Sequence, residues 1–183
     1  MNANQKAQNR LGDAYRDGEG VEQDFAEAAR LYRLAADQGW MVAQCSLGDV
    51  CHDGKGVEQD FVEAVRWYRL AADQGCAEAQ DALGVAYCHG LGVEQNFFEA
   101  LRFYQLAADQ GCANAMANIG DAYHDGEGVG QDFDEAAKWY RLAADKGVEW
   151  AQESLDEMSR DVCSDDGRRT ARERYFESLK TSF

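Results

Sequence analysis

Residues 20–39 read GVEQDFAEAARLYRLAADQG, and close copies recur at 56–75 (GVEQDFVEAVRWYRLAADQG), 92–111 (GVEQNFFEALRFYQLAADQG) and 128–147 (GVGQDFDEAAKWYRLAADKG). The interval between successive copies is 36 residues. A fixed period of roughly 20 to 50 residues is typical of solenoid proteins, in which each unit covers the apolar face of its neighbours. This repeat therefore decides the fold class.

The segment before each copy has the apolar period of a helix. Alanine, leucine or isoleucine, and tyrosine recur at i, i+4 and i+8, as in Ala79, Leu83 and Tyr87, which predicts one buried stripe. A glycine follows the leucine or isoleucine in every repeat: Gly12, Gly48, Gly84 and Gly120. Because glycine costs about 1 kcal/mol in a helix interior, we expect a second helix to cross closely at this point.

The recurring stretch itself predicts the second helix of each unit. Its start has the spacing of a capping box in every copy: Asp24 and Glu27, Asp60 and Glu63, Asn96 and Glu99, Asp132 and Glu135. Its end is followed by a glycine suited to the left-handed residue that closes a helix: Gly39, Gly75, Gly111 and Gly147. We expect an all-α single domain over 1–183, with repeats at about 4–39, 40–75, 76–111 and 112–147.

The last part of the chain, 148–183, departs from the repeat. Ala151 and Leu155 keep the apolar pattern, but Asp156 replaces the glycine and the turn motif is lost. We interpret 148–183 as a partial fifth repeat followed by a terminal helix from Arg168 to Lys180, which together cap the stack.

The recurring pattern A-x-x-x-L-G-x-x-Y-x-x-G-x-G-V-x-x-D-x-x-x-A-x-x-x-Y-x-x-A-A-x-x-G resembles the Sel1-like repeat, a relative of the tetratricopeptide repeat, over about residues 3–156. The resemblance implies a right-handed α-solenoid superhelix whose first helices line a concave surface. It also implies a role as an adaptor or scaffold. A secreted, cysteine-rich branch of that family carries a disulfide in each repeat, and alanine pairs such as Ala35-Ala36 stand here instead.

The charge of the chain restricts its partners. The formal net charge is −16, which disfavours phosphate backbones and anionic membranes and favours basic or mixed-charge protein partners. No apolar run approaches the roughly 18 residues of a membrane span, and the start MNANQKAQNR lacks the apolar stretch of a signal peptide. We expect a cytoplasmic protein, with a trimmed leader as the open alternative.

Six cysteines stand at 45, 51, 76, 88, 112 and 163 and do not recur in pairs, which argues against a disulfide framework. Equivalent positions such as Cys76 and Cys112 should lie roughly 10 Å apart, whereas a disulfide needs Cα atoms within about 6.8 Å. We expect free thiols, and the pairing of Cys51 with Cys88 stays open.

Superimposing the repeats separates the fixed scaffold from variable positions on the first helices. In related helical repeats these positions line the groove, so they are the predicted partner-binding residues: Asn9, Asp13, Arg16, Cys45, Asp49, His52, Asp81, Val85, Cys88, His89, Ala117, Asp121 and His124. The recurring aspartates among them suggest an acidic stripe, with Val85 as an apolar anchor.

Metal binding and catalysis are not supported by the same positions. Equivalent residues such as His52 and His124 are too far apart for zinc, whose ligands lie about 2.0 to 2.3 Å from one ion. The recurring aspartates are likewise too far apart for a catalytic carboxylate pair, which works at about 5 to 9.5 Å. No nucleotide-binding, serine-hydrolase or zinc-protease motif is present. We predict no cofactor, no metal and no catalytic residue.

Two functions of different classes remain. The first is a scaffold that binds a peptide or protein on its concave, acidic surface. The alternative is a structural or assembly subunit that uses its convex face and the arginine-rich terminal helix, with Arg168, Arg169, Arg172 and Arg174. An enzyme or metalloprotein is the least favoured interpretation.

Overall fold

The computed structural model describes residues 3–164, and helices joined by short turns make up this part of the chain. The helices are α1 (Ala3–Asp17), α2 (Phe25–Ala36), α3 (Met41–Asp53), α4 (Phe61–Ala72), α5 (Ala77–His89), α6 (Phe97–Asp109), α7 (Ala113–Asp125), α8 (Phe133–Ala144) and α9 (Glu149–Ser164). No strand occurs within 3–164. The predicted all-α fold of helix-turn-helix repeats is confirmed.

The chain divides into two compact units. Unit 1 is Met1–Gln110 and contains α1 to α6, while unit 2 is Gly111–Phe183 and contains α7, α8 and α9. Within each unit every helix packs against the helix before it and the helix after it in sequence. Such stacking buries the apolar stripe of each pair against the next pair, as a helical solenoid requires. The single domain over 1–183 stays a prediction.

The second helices begin where the sequence predicts. Asp60 has extended backbone dihedrals, and its side chain accepts hydrogen bonds from the backbone N–H groups of Val62 and Glu63. The glutamate of the expected capping box pairs with a cation, since the Glu63 carboxylate lies 3.2 Å from the Arg66 guanidinium one turn later. A cation at i+3 offers the carboxylate a charged partner, and the same pairing recurs in the other second helices: Glu27 with Arg30, Glu99 with Arg102 and Glu135 with Lys138.

The helix crossing predicted at the recurring glycine is confirmed. A Cβ atom added to Gly48 would lie 2.5 Å from the Cδ1 of Tyr68, and one added to Gly12 would lie 2.7 Å from the Cε1 of Tyr32. Both tyrosine rings are buried. Each glycine therefore provides the space in which a tyrosine of the second helix lies flat against the first helix.

Small and medium side chains fill the core. In unit 1 the stripe residues Ala43, Leu47 and Leu83 are at most 1% exposed, and in unit 2 Ile119 is fully buried. Ala151 and Leu155 of α9 are also buried, so the apolar pattern of the partial fifth repeat continues that of unit 2. The predicted terminal helix, Arg168 to Lys180, lies outside the described residues.

Buried glutamines join successive repeats of unit 1. The Gln44 side chain on α3 donates to the backbone oxygen of Ala36 at the end of α2, 3.2 Å away, and Gln80 on α5 donates to Ala72 in the same way. These bonds cross the boundary between one repeat and the next. They therefore tie each repeat to the one before it.

Candidate functional site

Three of the four repeats contain a hydrogen-bonded tyrosine and aspartate. In each pair the buried tyrosine hydroxyl donates to Oδ1 of the aspartate that follows the crossing glycine: Tyr32 to Asp13 (2.8 Å), Tyr68 to Asp49 (2.9 Å) and Tyr140 to Asp121 (2.6 Å). A buried tyrosine needs a partner for its hydroxyl. The position predicted as an acidic stripe therefore also has a structural role.

The surroundings of this aspartate differ between the first two repeats. Asp13 has several partners, because Arg16 lies 3.4 Å away and the amide of Asn9 donates to its Oδ2 at 3.1 Å. At the position equivalent to Arg16, the second repeat has His52, whose Nδ1 lies 3.0 Å from Asp53. Within residues 3–164, Asp49 makes no ion pair and keeps Tyr68 as its hydrogen-bond donor.

Titration of Asp49 reflects this difference. The residue keeps contact with solvent, yet the protein surrounding its carboxyl group raises the pKa of Asp49 above the ordinary value, an effect that the Tyr68 bond only partly offsets. Burial also raises the pKa of Asp121 in unit 2, where Tyr140 is the hydrogen-bond donor. Burial and the neighbouring carboxylate raise the pKa of Tyr68, so its hydroxyl remains a donor.

Unit 1 contains a pocket between its first and second repeats, which we call the repeat 1–2 pocket, of about 260 Å³. The first repeat contributes Arg16, Asp17, Phe25, Ala28 and Tyr32, and the second contributes Ser46, Asp49, Val50, Asp53 and Lys55. Both of its cations are already paired, since Arg16 binds both carboxylate oxygens of Asp17 at 2.8 Å and Lys55 lies 2.7 Å from Asp53.

A second pocket of about 240 Å³ lies one repeat further along unit 1, and we call it the repeat 2–3 pocket. The second repeat contributes Asp49, His52, Phe61, Ala64, Val65 and Tyr68, and the third contributes Ala82, Val85, Ala86 and Leu91. The His52 ring meets Phe61 edge to face, with ring centroids 5.3 Å apart. Apolar side chains form most of this wall, and Asp49 provides its one carboxylate.

The repeat 2–3 pocket brings together three of the predicted partner-binding residues, namely Asp49, His52 and Val85. Arg16 lies in the repeat 1–2 pocket together with Asp49, whereas Asp13 is engaged beside it. Asp81 and Cys88 are half-buried and His89 is exposed, and these three line neither pocket. In unit 2, Asp121 bonds to Tyr140, and His124 contacts Asp125 and the Phe133 ring.

Three predicted partner-binding residues need correction because their side chains are buried. Asn9 is 6% exposed, Cys45 is 9% exposed and Ala117 is fully buried. They occupy one repeat position, which faces the protein interior in these three repeats, whereas Asp81 at the same position of the third repeat is half-buried. Superposition of the repeats alone could not separate buried from accessible positions. A residue that varies between repeats can do so to adjust core packing as well as to contact a partner.

The residues that sequence reasoning missed lie in the turn and on the second helix. Leu91 stands where the other repeats have Glu19, Lys55 and Glu127, so the same superposition applied to the turns would have found it. Phe61 and Tyr68 have equivalents in every repeat, so a comparison of variable positions passes over them. Both are scaffold residues with one edge in the pocket.

Cys45 and Cys76 form a contact that the cysteine spacing did not suggest. The interaction between the two thiols raises the pKa of Cys45 and lowers the pKa of Cys76, and the Cys76 thiol donates a hydrogen bond to the Glu78 carboxylate at 3.3 Å. Both cysteine side chains are buried. Five cysteines are in the thiol form and not in a disulfide: Cys45, Cys51, Cys76, Cys88 and Cys112.

Residues 3–164 contain no group of three or more histidine, cysteine, aspartate or glutamate side chains placed to hold a metal ion. Of the helices within the same residues, none has the length and apolar character needed to cross a membrane.

Comparison with known proteins identifies the repeat. A family model described as the Sel1 repeat matches residues 5–40, 42–76, 77–112 and 113–148. Among solved structures, the protective antigen c5321 of uropathogenic Escherichia coli strains, described as displaying an SLR fold, is 40% identical over 84% of this chain, with a TM-score of 0.79. The chain covers 33% of that protein.

A Sel1 repeat protein from Oxalobacter formigenes is also 40% identical over 84% of this chain, with a TM-score of 0.75, and the chain covers 63% of it. Cysteine-rich protein B of Helicobacter pylori is 20% identical over 69% of this chain and 96% of its own, with a TM-score of 0.55, and it shares the fold. No curated protein matches the chain.

Proposed function

Because the chain belongs to the Sel1 repeat family, whose members generally act as non-catalytic protein-interaction scaffolds, we propose that it binds a peptide or protein partner on a concave, acidic surface. The repeat 2–3 pocket is the anchor site of this surface. One observation carries the proposal: Val85 and Leu91 give this pocket an accessible apolar wall in a chain whose net charge is −16.

The energetics favour an anchored mode of binding. Exposed charge pairs contribute only about 0 to 1 kcal/mol each, so an acidic surface alone gives weak, salt-dependent association. A side chain inserted into an apolar pocket adds a desolvated contact near the centre of the interface, where most binding energy is concentrated. Acidic groups around the pocket then accelerate association with a basic or mixed-charge partner.

The test begins with selection of random displayed peptides on the intact protein, followed by measurement of their affinities by fluorescence anisotropy. Leu91→Lys places a charge in the apolar wall, and the fold should tolerate it because Lys55 holds the equivalent position one repeat earlier. Leu70→Lys is the matched control, since Leu70 lies on α4, is 40% exposed and does not line the pocket.

We expect Leu91→Lys to weaken binding by about tenfold, which corresponds to about 1.4 kcal/mol, whereas Leu70→Lys should stay within about twofold of the parent. Circular dichroism checks that both variants are folded. If the selected peptides bind the two variants and the parent with equal affinity, the pocket is not the anchor site.

A second candidate function follows from the exposed apolar residues of the second helices in unit 1. Leu34, Leu70 and Leu106 recur at one repeat position and are each 40% exposed, and Val62 and Phe98 are 67% and 75% exposed. Such residues favour the alternative of a structural or assembly subunit that uses the convex face. The arginines proposed to assist it, Arg168, Arg169, Arg172 and Arg174, lie outside the described residues.

The same pair of variants separates the two functions. On an assembly surface formed by the second helices, Leu70→Lys removes binding and Leu91→Lys leaves it intact. The reverse pattern supports the pocket.

A further inference from the structure

The repeat 2–3 pocket contains one carboxylate without a cationic partner. Asp49 Oδ1 accepts the Tyr68 hydroxyl, and no ion pair reaches Asp49 from any residue within 3–164. The charged and titratable groups that act on it are His52 and Asp53 on its own helix and Arg16 on α1. The Arg16 guanidinium already binds both oxygens of Asp17, so it does not neutralise Asp49.

The size of the pocket limits its occupant. Sites for whole small molecules measure about 300 to 1,000 Å³, and this pocket measures about 240 Å³. One long side chain of a partner is therefore a better match than a complete ligand. The walls require that side chain to be apolar along its stem, and Asp49 requires a cation at its end. Lysine and arginine combine these properties, because both bury an aliphatic stem while keeping the charged end hydrated.

The free oxygen of Asp49 favours lysine over arginine. A guanidinium recognises a carboxylate best through two parallel hydrogen bonds, as Arg16 does with Asp17. An ammonium group is a point charge that needs one oxygen. The protein already contains this second arrangement at Asp53, where His52 occupies Oδ1 and the Lys55 ammonium lies 2.7 Å from Oδ2.

We propose that the repeat 2–3 pocket binds the lysine side chain of a partner peptide, with the alkyl stem against Val65, Val85 and Leu91 and the ammonium group on the free Oδ2 of Asp49. This inference rests on the proposed function, because it names the side chain that the anchor site accepts. Asp49 also borders the repeat 1–2 pocket, but there Arg16 and Lys55, which are paired with Asp17 and Asp53, already place two cations on the wall and disfavour a third.

The test uses the peptides selected on the parent protein whose binding Leu91→Lys removes. In each peptide every lysine is replaced in turn by norleucine, which keeps the length of the stem without the charge, and by arginine. We expect one lysine per peptide at which norleucine weakens binding by about tenfold and arginine by a smaller factor. With Asp49→Asn, the lysine and norleucine peptides should bind equally, because the variant keeps the acceptor for Tyr68 and removes the charge.

The outcomes separate this inference from the function on which it rests. Peptides that depend on Leu91 but contain no critical lysine overturn the lysine site and leave the anchor pocket in place. The same conclusion follows if Asp49→Asn weakens the lysine and norleucine peptides by the same factor. A selection that yields no peptide sensitive to Leu91→Lys rejects the proposed function and the lysine site together.

Discussion

The two pockets of unit 1 lie at equivalent places in successive repeats, but they differ in chemistry. Phe25 and Tyr32 of the repeat 1–2 pocket correspond to Phe61 and Tyr68 of the repeat 2–3 pocket, one period of 36 residues later. On the opposite wall the residues change, and the replacements are Ser46 by Ala82, Asp49 by Val85, Val50 by Ala86 and Lys55 by Leu91. Asp49 borders both pockets. In the first pocket it shares the wall with two ion pairs, and in the second it lies opposite an apolar wall.

This difference shows how a repeat protein can acquire a binding site without altering its scaffold. The tyrosine that lies on a glycine is common to both pockets, so the cavity itself belongs to the repeat. A few substitutions on the next repeat then determine whether the side chains that line the cavity pair with one another or leave an apolar wall open to a partner. We therefore expect the largest effects from changes to the shared scaffold and smaller effects from changes to the charged side chains.

The largest effect is expected where the scaffold is tightest. Gly48→Ala adds a methyl group 2.5 Å from two atoms of the Tyr68 ring, whereas Gly12→Ala adds one 2.7 Å from a single atom of Tyr32. Overpacking of this kind costs about 1 to 3 kcal/mol, more than the roughly 1 kcal/mol gained in helix propensity. We expect both variants to lower the free energy of unfolding in urea, Gly48→Ala by the larger amount.

Gly130→Ala is the control for this experiment, because nothing lies within 4 Å of an added Cβ and the backbone φ is not positive. It should unfold at the same urea concentration as the parent. If Gly48→Ala proves as stable as the Gly130→Ala control, that result would contradict the close contact between glycine and tyrosine.

An intermediate effect is expected from removing the tyrosine hydroxyls. Tyr68→Phe leaves Asp49 with no hydrogen-bond donor, while after Tyr32→Phe the carboxylate of Asp13 retains Arg16 and Asn9. A hydrogen bond to a charged group contributes about 1.5 to 3 kcal/mol, and access to solvent reduces this for both aspartates. We expect Tyr68→Phe to cost about 1 to 2 kcal/mol in urea unfolding and Tyr32→Phe to cost less. Equal losses would show that the two aspartates have equivalent surroundings.

The sequence was sufficient to predict the helices and their crossings. Periodicity places each apolar stripe, and glycine in a helix interior has so strong a cost that its recurrence indicates a close contact, as Gly48 and Tyr68 confirm. The ends of the second helices were equally predictable, because Gly75 and Gly111 both have φ of +91°. These features depend on residues within one helix pair, where spacing along the chain fixes position in space.

The site was predictable only in part, since it depends on contacts between pairs of helices. Asp49, His52 and Val85, which line the repeat 2–3 pocket, were predicted by superimposing the repeats, but Asn9 was predicted in the same way and is buried. The hydrogen bond from Tyr68 to Asp49 spans 19 residues, and neither residue alone indicates it. Whether the side chain at a variable helix position faces solvent is determined by the angle at which the neighbouring helix crosses. The repeat pattern does not encode this angle.

The smallest effect concerns the carboxylate of Asp49, which makes no ion pair within residues 3–164. The raised pKa of Asp49 means that the folded state holds the proton of this carboxyl more tightly than the unfolded state does. Its ionisation therefore weakens the fold as pH rises from the unfolded pKa through the raised folded pKa, and the full cost is present above the folded pKa. Asp49→Asn removes this cost and keeps an acceptor for Tyr68, so at pH 7 we expect it to stabilise the protein by about 0.5 kcal/mol. The advantage should disappear as pH falls below the ordinary aspartate range.

Asp13→Asn is the matched change in the first repeat, and because it removes the partner of Arg16 it should destabilise the protein by up to about 1 kcal/mol at pH 7. Urea unfolding of both variants at several pH values measures these differences, and a loss of stability in Asp49→Asn at pH 7 would mean that its carboxylate is compensated within the protein and is not available to a partner's lysine.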